Sequence, residues 1–372
     1  MKILIINKYC PKHPRAGGAE ERLKQLCIRL HKLGHEVHLL SARFPGCKDY
    51  EFYAGTNIYR IGLKNSYNTF LIHIIGLLYA PFFTKRIKPD IVYEDISPLP
   101  WFTPLTMRKR KKVIIIHHIN KDVFFKTQFF PFALLGYLLE QSIRFFYKKE
   151  KIITVGPSTT KELLKMGFIR ENIFEIRDGV NAREYSYSKL KFKNPTVLFL
   201  GRHELRKGLD LLIRTYDPVK KSIPNVQYLI LGDGKDRKNF EKMAEGKKGI
   251  VFKGFVKGRE KIDFLRKAWV LAVPSRTEGY CIAVLEANAC GTLAIGNNVE
   301  GLIDSIINNK TGFLVNCYDT KEFADKIIEV LKDKKLREKI GKNAREWAEE
   351  HDLDLMTKKT LEVFQMKLKE KN

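Results

Sequence analysis

The sequence predicts an α/β protein of two doubly wound, parallel-sheet domains, and three observations carry that prediction. Short apolar runs alternate with amphipathic segments along the chain, the pattern of parallel strands covered by helices on both faces. At 372 residues the chain exceeds one ordinary core and suits two. The alternation breaks once, over residues 178–195 (DGVNAREYSYSKLKFKNP), a polar stretch without periodicity that reads as a linker, and then restarts.

In the first half, strands are expected at Lys2–Asn7, Glu36–Ser41, Asn57–Gly62, Asp90–Tyr93, Lys112–His117, Lys151–Val155 and Asn172–Ile176. Helical periodicity falls at Gly18–Leu33, Ser66–Arg86, Pro131–Lys149 and Pro157–Met166. After the linker come strands at Thr196–Leu200, Gln227–Leu231, Val251–Phe252, Trp269–Val273, Leu293–Gly296 and Phe313–Val315. Helices are expected to start at Gly208, Lys235 and Cys281, and three more at Lys321–Lys332, Lys335–Glu350 and Asp354–Lys369. The boundaries are set at 1–180 and 181–353, with the last helix (about 354–372) expected to pack back on the first domain. In doubly wound sheets ligands sit outside the carboxyl ends of the strands, so the cleft between two such domains is the expected site.

Composition narrows the class. Apolar residues make up 44% of the chain, with 24 Phe and 15 Tyr, which excludes a disordered protein. The segment Met1–Ile6 reads as a buried strand rather than a leader, and the six cysteines include no C-x-x-C pair. Both point to a reducing cytoplasm without disulfides or structural zinc. The net charge of +26 calls for an anionic partner or reflects a lysine-rich solvated surface, and residues 1–150 carry 25 Lys and Arg against 11 Asp and Glu.

The chemistry concentrates between Pro274 and Gly301. A buried strand (Trp269–Val273) ends at Pro274-Ser275, turns through Arg276-Thr277-Glu278-Gly279, and gives way to a helix carrying Glu286. Eight residues apart on one helix, the two glutamates would be about 12 Å apart along the axis and on different faces. Gly279 interrupts the helix, so Glu278 can hang from a strand-end loop while Glu286 rides the helix behind it. Spacing alone says nothing, since Glu338/Glu346 and Glu362/Glu370 share it on plainly solvated faces. The setting of strand, Pro-Ser, Gly turn and apolar helix separates the first pair.

The stretch VPSRTEGYCIAVLEANACGT resembles the E-x7-E signature of glycosyltransferase family 4. Phe199-Leu200-Gly201-Arg202 with Lys207-Gly208 is similar to its G-R…K-G element, Leu231-Gly232-Asp233-Gly234 to its G-x-G turn, and Lys310–Val315 to its T-G-F-L-V. Asp178-Gly179-Val180 stands where the family has Asn-Gly-Val. The resemblance is strong from about 196 to 350 and looser before that. It implies two Rossmann-like domains facing across a cleft (the GT-B fold) and retaining transfer from a nucleotide-sugar, such as a UDP- or GDP-sugar. The acceptor would be a glycan or lipid-linked saccharide.

Carried onto matching positions, the resemblance implies that Arg202 and Lys207 hold the donor diphosphate, a task suited to a guanidinium beside a point charge. It further implies that Glu286 accepts from ribose hydroxyls, that Glu278 contacts the transferring sugar, and that backbone near Phe255 and Val256 borders the base. Gly232, Gly279 and Tyr280 belong to the same donor elements. In the first domain Gly17-Gly18 opens a helix whose free N–H groups suit an anion or sugar hydroxyl, and equally suit a plain turn. His117-His118 follow a strand directly. The family commonly carries a histidine here near the reacting sugar, His117 being the better match, while a satisfied strand-end histidine is the plainer reading. Ser158 fits a family helix start and equally a helix cap.

No metal or other cofactor is expected, because the only D-x-D, Asp352-Leu353-Asp354, reads as a helix cap and Arg202 with Lys207 can neutralise the leaving diphosphate. Two apolar stretches, Phe70–Phe83 and Phe124–Tyr147, fall short of a membrane span and are followed by Lys85, Arg86 and Lys88, and by Arg144, Lys148 and Lys149. They read either as core helices or as a peripheral surface for anionic lipid on the inner face of the cell membrane. Four departures from the family pattern stand out. Cys281 replaces the second glycine of E-G-F-G and is expected to narrow the donor space, Glu300-Gly301 replaces Gly-Gly, Leu293 replaces a proline, and Asp304 replaces the more usual Glu. A nucleotide-sugar epimerase or phosphorylase on the same fold, or a basic nucleic-acid-binding protein, are the alternatives. No helix-turn-helix, RNP aromatics or zinc knuckle supports the last, so no nucleic acid is expected.

Overall fold

The structure, a computed structural model, describes residues 1–63, 69–120, 124–125, 129–188 and 190–370. The expected helix start at Ser66, positions 126–128 of the second apolar stretch, position 189 of the expected linker and residues 371–372 of the last helix lie outside the described residues.

The chain forms two compact units, one of Met1–Asp178 with Leu353–Asn372 and the other of Gly179–Asp352. Among the described residues the first holds an eight-stranded sheet in the order β3-β4-β2-β1-β5-β6-β7-β8. Its strands are β1 (Lys2–Ile6), β2 (Glu36–Ala42), β3 (Tyr50–Tyr53), β4 (Thr56–Ile61), β5 (Ile91–Ile96), β6 (Lys112–Ile116), β7 (Lys151–Thr154) and β8 (Ile173–Glu175). All pairings are parallel except β3 with β4. Sequence reasoning missed β3, a four-residue edge strand turned back by Ala54-Gly55, both at positive φ.

Helix α1 (Gly18–Lys32) crosses between β1 and β2. The terminal helix Leu353–Lys369 lies against it, with Arg29 Nε 2.6 Å from Asp354 Oδ1 and the Phe364 ring 5.2 Å from that of Tyr93. Lys367 and Lys151 add ion pairs to Glu150 and Glu370 at 3.1 and 3.0 Å.

Helix Phe130–Gln141 is not a core helix. It buries Ala133, Gly136 and Glu140, one narrow face at i, i+3 and i+7. Phe130, Phe132, Leu135 and Leu138 stay exposed. Helix Thr69–Ile87 divides similarly, burying Ile72, Ala80 and Phe83 while Ile74, Leu78 and Phe82 face outward. Among the described residues no helix is long and apolar enough to cross a membrane.

The second unit holds, among the described residues, a six-stranded parallel sheet in the order β11-β10-β9-β12-β13-β14. These are β9 (Thr196–Leu200), β10 (Gln227–Leu231), β11 (Ile250–Gly254), β12 (Val270–Val273), β13 (Ala294–Asn297) and β14 (Gly312–Val315). Strand alternation divides the core cleanly. Val197, Phe199, Tyr228, Ile230, Val270 and Ala272 join one apolar layer, and Leu198, Leu229, Leu231, Leu271 and Val273 the other.

The stretch read as a linker is docked instead on the second unit. Phe192 N–H donates to Lys267 O at 2.9 Å, Trp269 Nε1–H donates to Phe192 O at 2.9 Å, and the Tyr185 and Phe192 rings pack on the apolar core. Polar composition hid this because the few apolar side chains of the stretch follow neither a strand nor a helix period.

Candidate active site

In each sheet the strand order reverses beside the first strand, at β1/β5 and at β9/β12, and an α/β sheet opens a crevice at such a point. Arg202, Lys207 and Glu278 lie in the loops after β9 and β12, Gly17 in the loop after β1, and His117 follows β6, the neighbour of β5; Gly232, Phe255 and Glu286 lie after β10, after β11 and on the helix Ile282–Ala289.

In the second unit the site is assembled by glycines. Gly208 (φ +71°) follows the short turn Leu205–Lys207, and a Cβ there would lie 1.9 Å from the carbonyl oxygen of Pro274, just past β12. Gly232 (φ +121°) lets the loop after β10 touch the loop after β9, since a Cβ would meet Gly201 O at 1.9 Å. Gly301 (φ +79°) brings the loop after β13 onto the Glu278-Gly279 turn, 2.3 Å from Glu278 O by the same measure. No L side chain fits these places, so the sequence spacing of the glycines follows from loop contact.

These contacts join Lys207 to Glu278. Lys207 Nζ stands 2.5 Å from Glu278 Oε1, which also accepts from Ser275 Oγ at 2.8 Å. Burial would raise the carboxyl pKa of Glu278, but the Lys207 ammonium overcomes that and holds it below the ordinary value. Glu278 is therefore a fixed carboxylate, suited to accept hydrogen bonds and not to donate a proton. Arg276 braces the same loop with a two-pronged pair to Asp210 at 2.8 and 2.7 Å.

Arg202 lies beside this cluster through Glu204, whose carboxylate is 3.4 Å from Arg202 Nη1 and 2.7 Å from Arg206 Nε. Burial opposes ionisation of Glu204, but Arg202, Arg206 and Lys207 together draw its pKa below the ordinary value. Neither Glu204 nor Arg206 was singled out from sequence.

Glu286 has partners of its own: Lys261 Nζ at 2.6 Å and the Tyr185 hydroxyl at 2.7 Å. Both come from segments distant in sequence, so nothing local marked them. Phe255 projects into solvent at 75% exposure, whereas the Val256 side chain sits in the core beneath it. The Tyr280 ring packs with Val180, Leu285 and Trp347, and the Cys281 thiol turns into the core. Cys281 takes an ordinary backbone conformation (φ −96°, ψ 91°), so glycine is not required there and its side chain does not narrow the loop face. Burial pushes that thiol up to about 12.

In the first unit the strand ends carry a buried polar network. His117 Nε2 lies 3.1 Å from Asp95 Oδ2, and its carbonyl accepts from Thr159 Oγ1 at 3.0 Å. Burial favours the neutral imidazole, but the Asp95 carboxylate raises its pKa above the usual value. His118 points elsewhere, with Nε2 3.0 Å from Asn120 Oδ1. Gly17 N–H donates to Glu20 Oε2 at 2.6 Å, so one amide of the expected Gly17-Gly18 anion site is already capped by a carboxylate of its own helix. Asp178, standing for the expected asparagine, is paired with Arg22 at 2.6 Å, and both side chains are at most 4% exposed.

Among the described residues no group of three or more His, Cys, Asp or Glu side chains is arranged to hold a metal ion.

Comparison with known proteins matches residues 183–347 to the model of the glycosyl transferases group 1 and residues 16–184 to that of Glycosyltransferase Family 4. The chain belongs to the family 4 glycosyltransferases. A sulfoquinovosyl transferase of Arabidopsis thaliana is 28% identical over 293 residues, 74% of this family 4 chain and 56% of that protein, so the matched stretch spans little more than half the relative's length. A phosphatidyl-myo-inositol mannosyltransferase of Mycolicibacterium smegmatis is 24% identical over 366 residues, covering 94% and 90%. Sucrose-phosphate synthase from Thermosynechococcus elongatus superimposes with a TM-score of 0.82 at 19% identity over 98% of both chains, a likeness of fold. The family 4 chain thus has the two-domain GT-B architecture.

Proposed function

We propose that the protein is a retaining glycosyltransferase that moves a sugar from a nucleotide-diphosphate sugar to a glycan or lipid-linked acceptor at a membrane surface. The observation that carries the reading is the Lys207–Glu278 contact at the β9/β12 strand ends, flanked by Arg202. A cation beside a carboxylate that it favours in the ionised form offers one group for the departing diphosphate and one for sugar hydroxyls.

In this mechanism the bond from the anomeric carbon to the diphosphate oxygen breaks as charge moves toward Arg202 and Lys207. The acceptor hydroxyl attacks from the same face and passes its proton to the leaving phosphate oxygen, which preserves configuration without a protein nucleophile. Glu286 receives the ribose hydroxyls, with the Lys261 ammonium and Tyr185 hydroxyl fixing its carboxylate. Phe255 is the exposed apolar surface next to the base. In the first unit His117, held by Asp95, is the candidate to contact a saccharide hydroxyl, and no metal takes part.

Support for the membrane surface comes from the exposed face of helix Phe130–Gln141 with Arg144, Lys148 and Lys149 behind it, apolar anchors beside cations. The two relatives described above are named for transfer of sulfoquinovose and for mannosyl transfer to phosphatidyl-myo-inositol. The family match favours neither an epimerase nor a nucleic-acid-binding protein.

The test is release of nucleoside diphosphate from a panel of UDP- and GDP-sugars with and without a lipid-linked acceptor, followed by the anomeric configuration of the product. Acceptor-dependent release with configuration kept supports the reading. An inverted product, or release indifferent to acceptor, defeats it.

A further inference from the structure

The loop after β9 buries a titratable ring that the donor chemistry leaves unused. His203 stands between Arg202 and Glu204, and it is fully buried. Three aromatic rings enclose it, Phe199 of β9, Phe252 of β11 and Phe240 of helix Arg237–Met243, with centroids 6.2, 5.9 and 6.4 Å away. Among the described residues neither ring nitrogen has a hydrogen-bond partner. A neutral imidazole carries one donor and one acceptor nitrogen, so both stay unsatisfied where a purely apolar ring would lose nothing.

The backbone of the same residue ties two loops together. His203 N–H donates to Asp233 O at 2.9 Å, and His203 O accepts from Asp236 N–H at 3.0 Å. Leu205 N–H adds a bond to Asp236 Oδ2 at 2.9 Å. The fit leaves no slack, since a Cβ on Gly234 would lie 2.5 Å from His203 O. Arg202, proposed for the donor diphosphate, is therefore carried by a loop whose seat is the His203 ring.

Charge around the ring decides when it can stay. Burial holds the imidazole below its ordinary pKa, and the Arg237 guanidinium acts the same way, against Asp233 and Glu241. Arg237 is itself paired with Glu241 at 2.8 Å and with Asp233 at 3.7 Å, so both carboxylates are already committed to another cation. From β9 and β11 the ring meets Phe199 and Phe252. A proton on it would make a buried cation without a partner, and the ring must leave its pocket to reach water.

We propose that the neutral His203 ring positions the diphosphate loop, and that a proton drives the ring out, frees the loop from Asp233 and Asp236 and switches donor binding off in acid. The inference rests on the proposed transferase reading and adds a proton as the regulator of its donor site. The sign follows from linkage. The opened form takes up a proton from about pH 6.5 downward and the seated ring only at lower pH, so the closed loop is lost as pH falls through that window. Glu278 keeps its charge there, because it titrates below its ordinary value of 4.5.

The test titrates UDP-glucose and GDP-mannose into the full chain by calorimetry between about pH 7.5 and about pH 5, beside thermal unfolding followed by Trp269 and Trp347 fluorescence. Nucleotide-sugars serve because both phosphates are esterified and neither takes up a proton in this range, as a free nucleoside diphosphate does. Wild-type affinity is expected to fall by up to about ten-fold per pH unit once the loop opens, one proton being bound per opened loop. His203→Phe, an apolar ring among three aromatic ones, should bind donor as the wild type does near neutral pH and lose that acid dependence. Its Tm relative to wild type should rise by about 2 °C or more as pH falls below 6.5. His203→Leu, smaller and equally unable to take a proton, should lose the acid dependence as well, so the outcome does not hang on the fit of one ring.

Acid weakening kept in both variants would overturn the proposal. So would wild-type affinity that stays constant, or a Tm difference that stays constant, from about pH 7.5 to about pH 5. If neither nucleotide-sugar binds the wild type near neutral pH while the Tm difference still widens in acid, the transferase reading fails and the acid-opened loop stands.

Discussion

The two units solve one problem, placing charge at a strand-order reversal, by opposite means. In the second unit glycines let loops touch, and the ion pairs that result keep at least one partner partly open to solvent, as with Lys207 beside Glu278 and Arg202 beside Glu204. In the first unit long-range pairs are sealed in the interior. Arg22 meets Asp178 across 156 positions of sequence, and Asp95 meets His117 at under a tenth exposure. The open cluster can exchange partners with a ligand at small cost, whereas the sealed one holds its strand ends rigid because a buried charge cannot be left alone.

The largest expected effect tests the sealed side. Arg22→Ala strands the Asp178 carboxylate in the interior and should cost about 3–5 kcal/mol in denaturant unfolding. A cost below about 1 kcal/mol would show the pair to be hydrated and erase the contrast. On the open side, Lys207→Ala should cost less in folding than Arg22→Ala, because Ser275 Oγ still donates to Glu278, and should lower turnover by roughly 10²–10³-fold, as loss of one donor to a developing anion does. Gly208→Ala should destabilise the second unit by roughly 3 kcal/mol, combining positive-φ strain with overlap on Pro274. The midpoint of unfolding followed by Trp269 and Trp347 fluorescence measures it.

These three also mark what the sequence disclosed. Glycine spacing is written locally, so Gly201, Gly208, Gly232 and the Glu278–Glu286 segment were legible together with both sheets and the family. The partners Lys261, Tyr185, Asp95 and Thr159 were not, because each reaches its mate across a fold that no short-range period encodes. The same holds for Phe192 and Tyr185 in the stretch taken for a linker. The apolar segment Phe124–Tyr147 left core and surface open, because its composition is apolar on every side. Only the packed structure shows that Ala133 and Gly136 form its buried edge.

Acidity offers a finer contrast. Glu278 titrates below its ordinary value in the fold, so its contribution to stability is complete above about pH 4.5 and lost as pH falls through the folded value. His117 titrates above 6.5, so its contribution is complete below that value and lost as pH rises through the folded one. Acid should therefore loosen the second unit, read by Trp269 and Trp347, and mild alkali the first, read by Trp101. Glu278→Gln and His117→Gln should each flatten only its own limb. The smallest effect concerns Glu204, which pairs with Arg202, a cation proposed for the donor diphosphate, and with Arg206. Glu204→Gln should tighten nucleotide-sugar binding by about three-fold, the worth of a partly exposed ion pair.

The return of Leu353–Lys369 to the first unit has a consequence for biosynthesis. The side of α1 that this helix covers, and the Tyr93 ring that meets Phe364, stay bare until residues 353–369 emerge from the ribosome. The first unit is thus completed by residues translated after the second unit, which can mature on its own in the meantime. A prematurely terminated product lacking those residues would carry an intact second unit beside an unfinished first one, a natural substrate for chaperones and proteases.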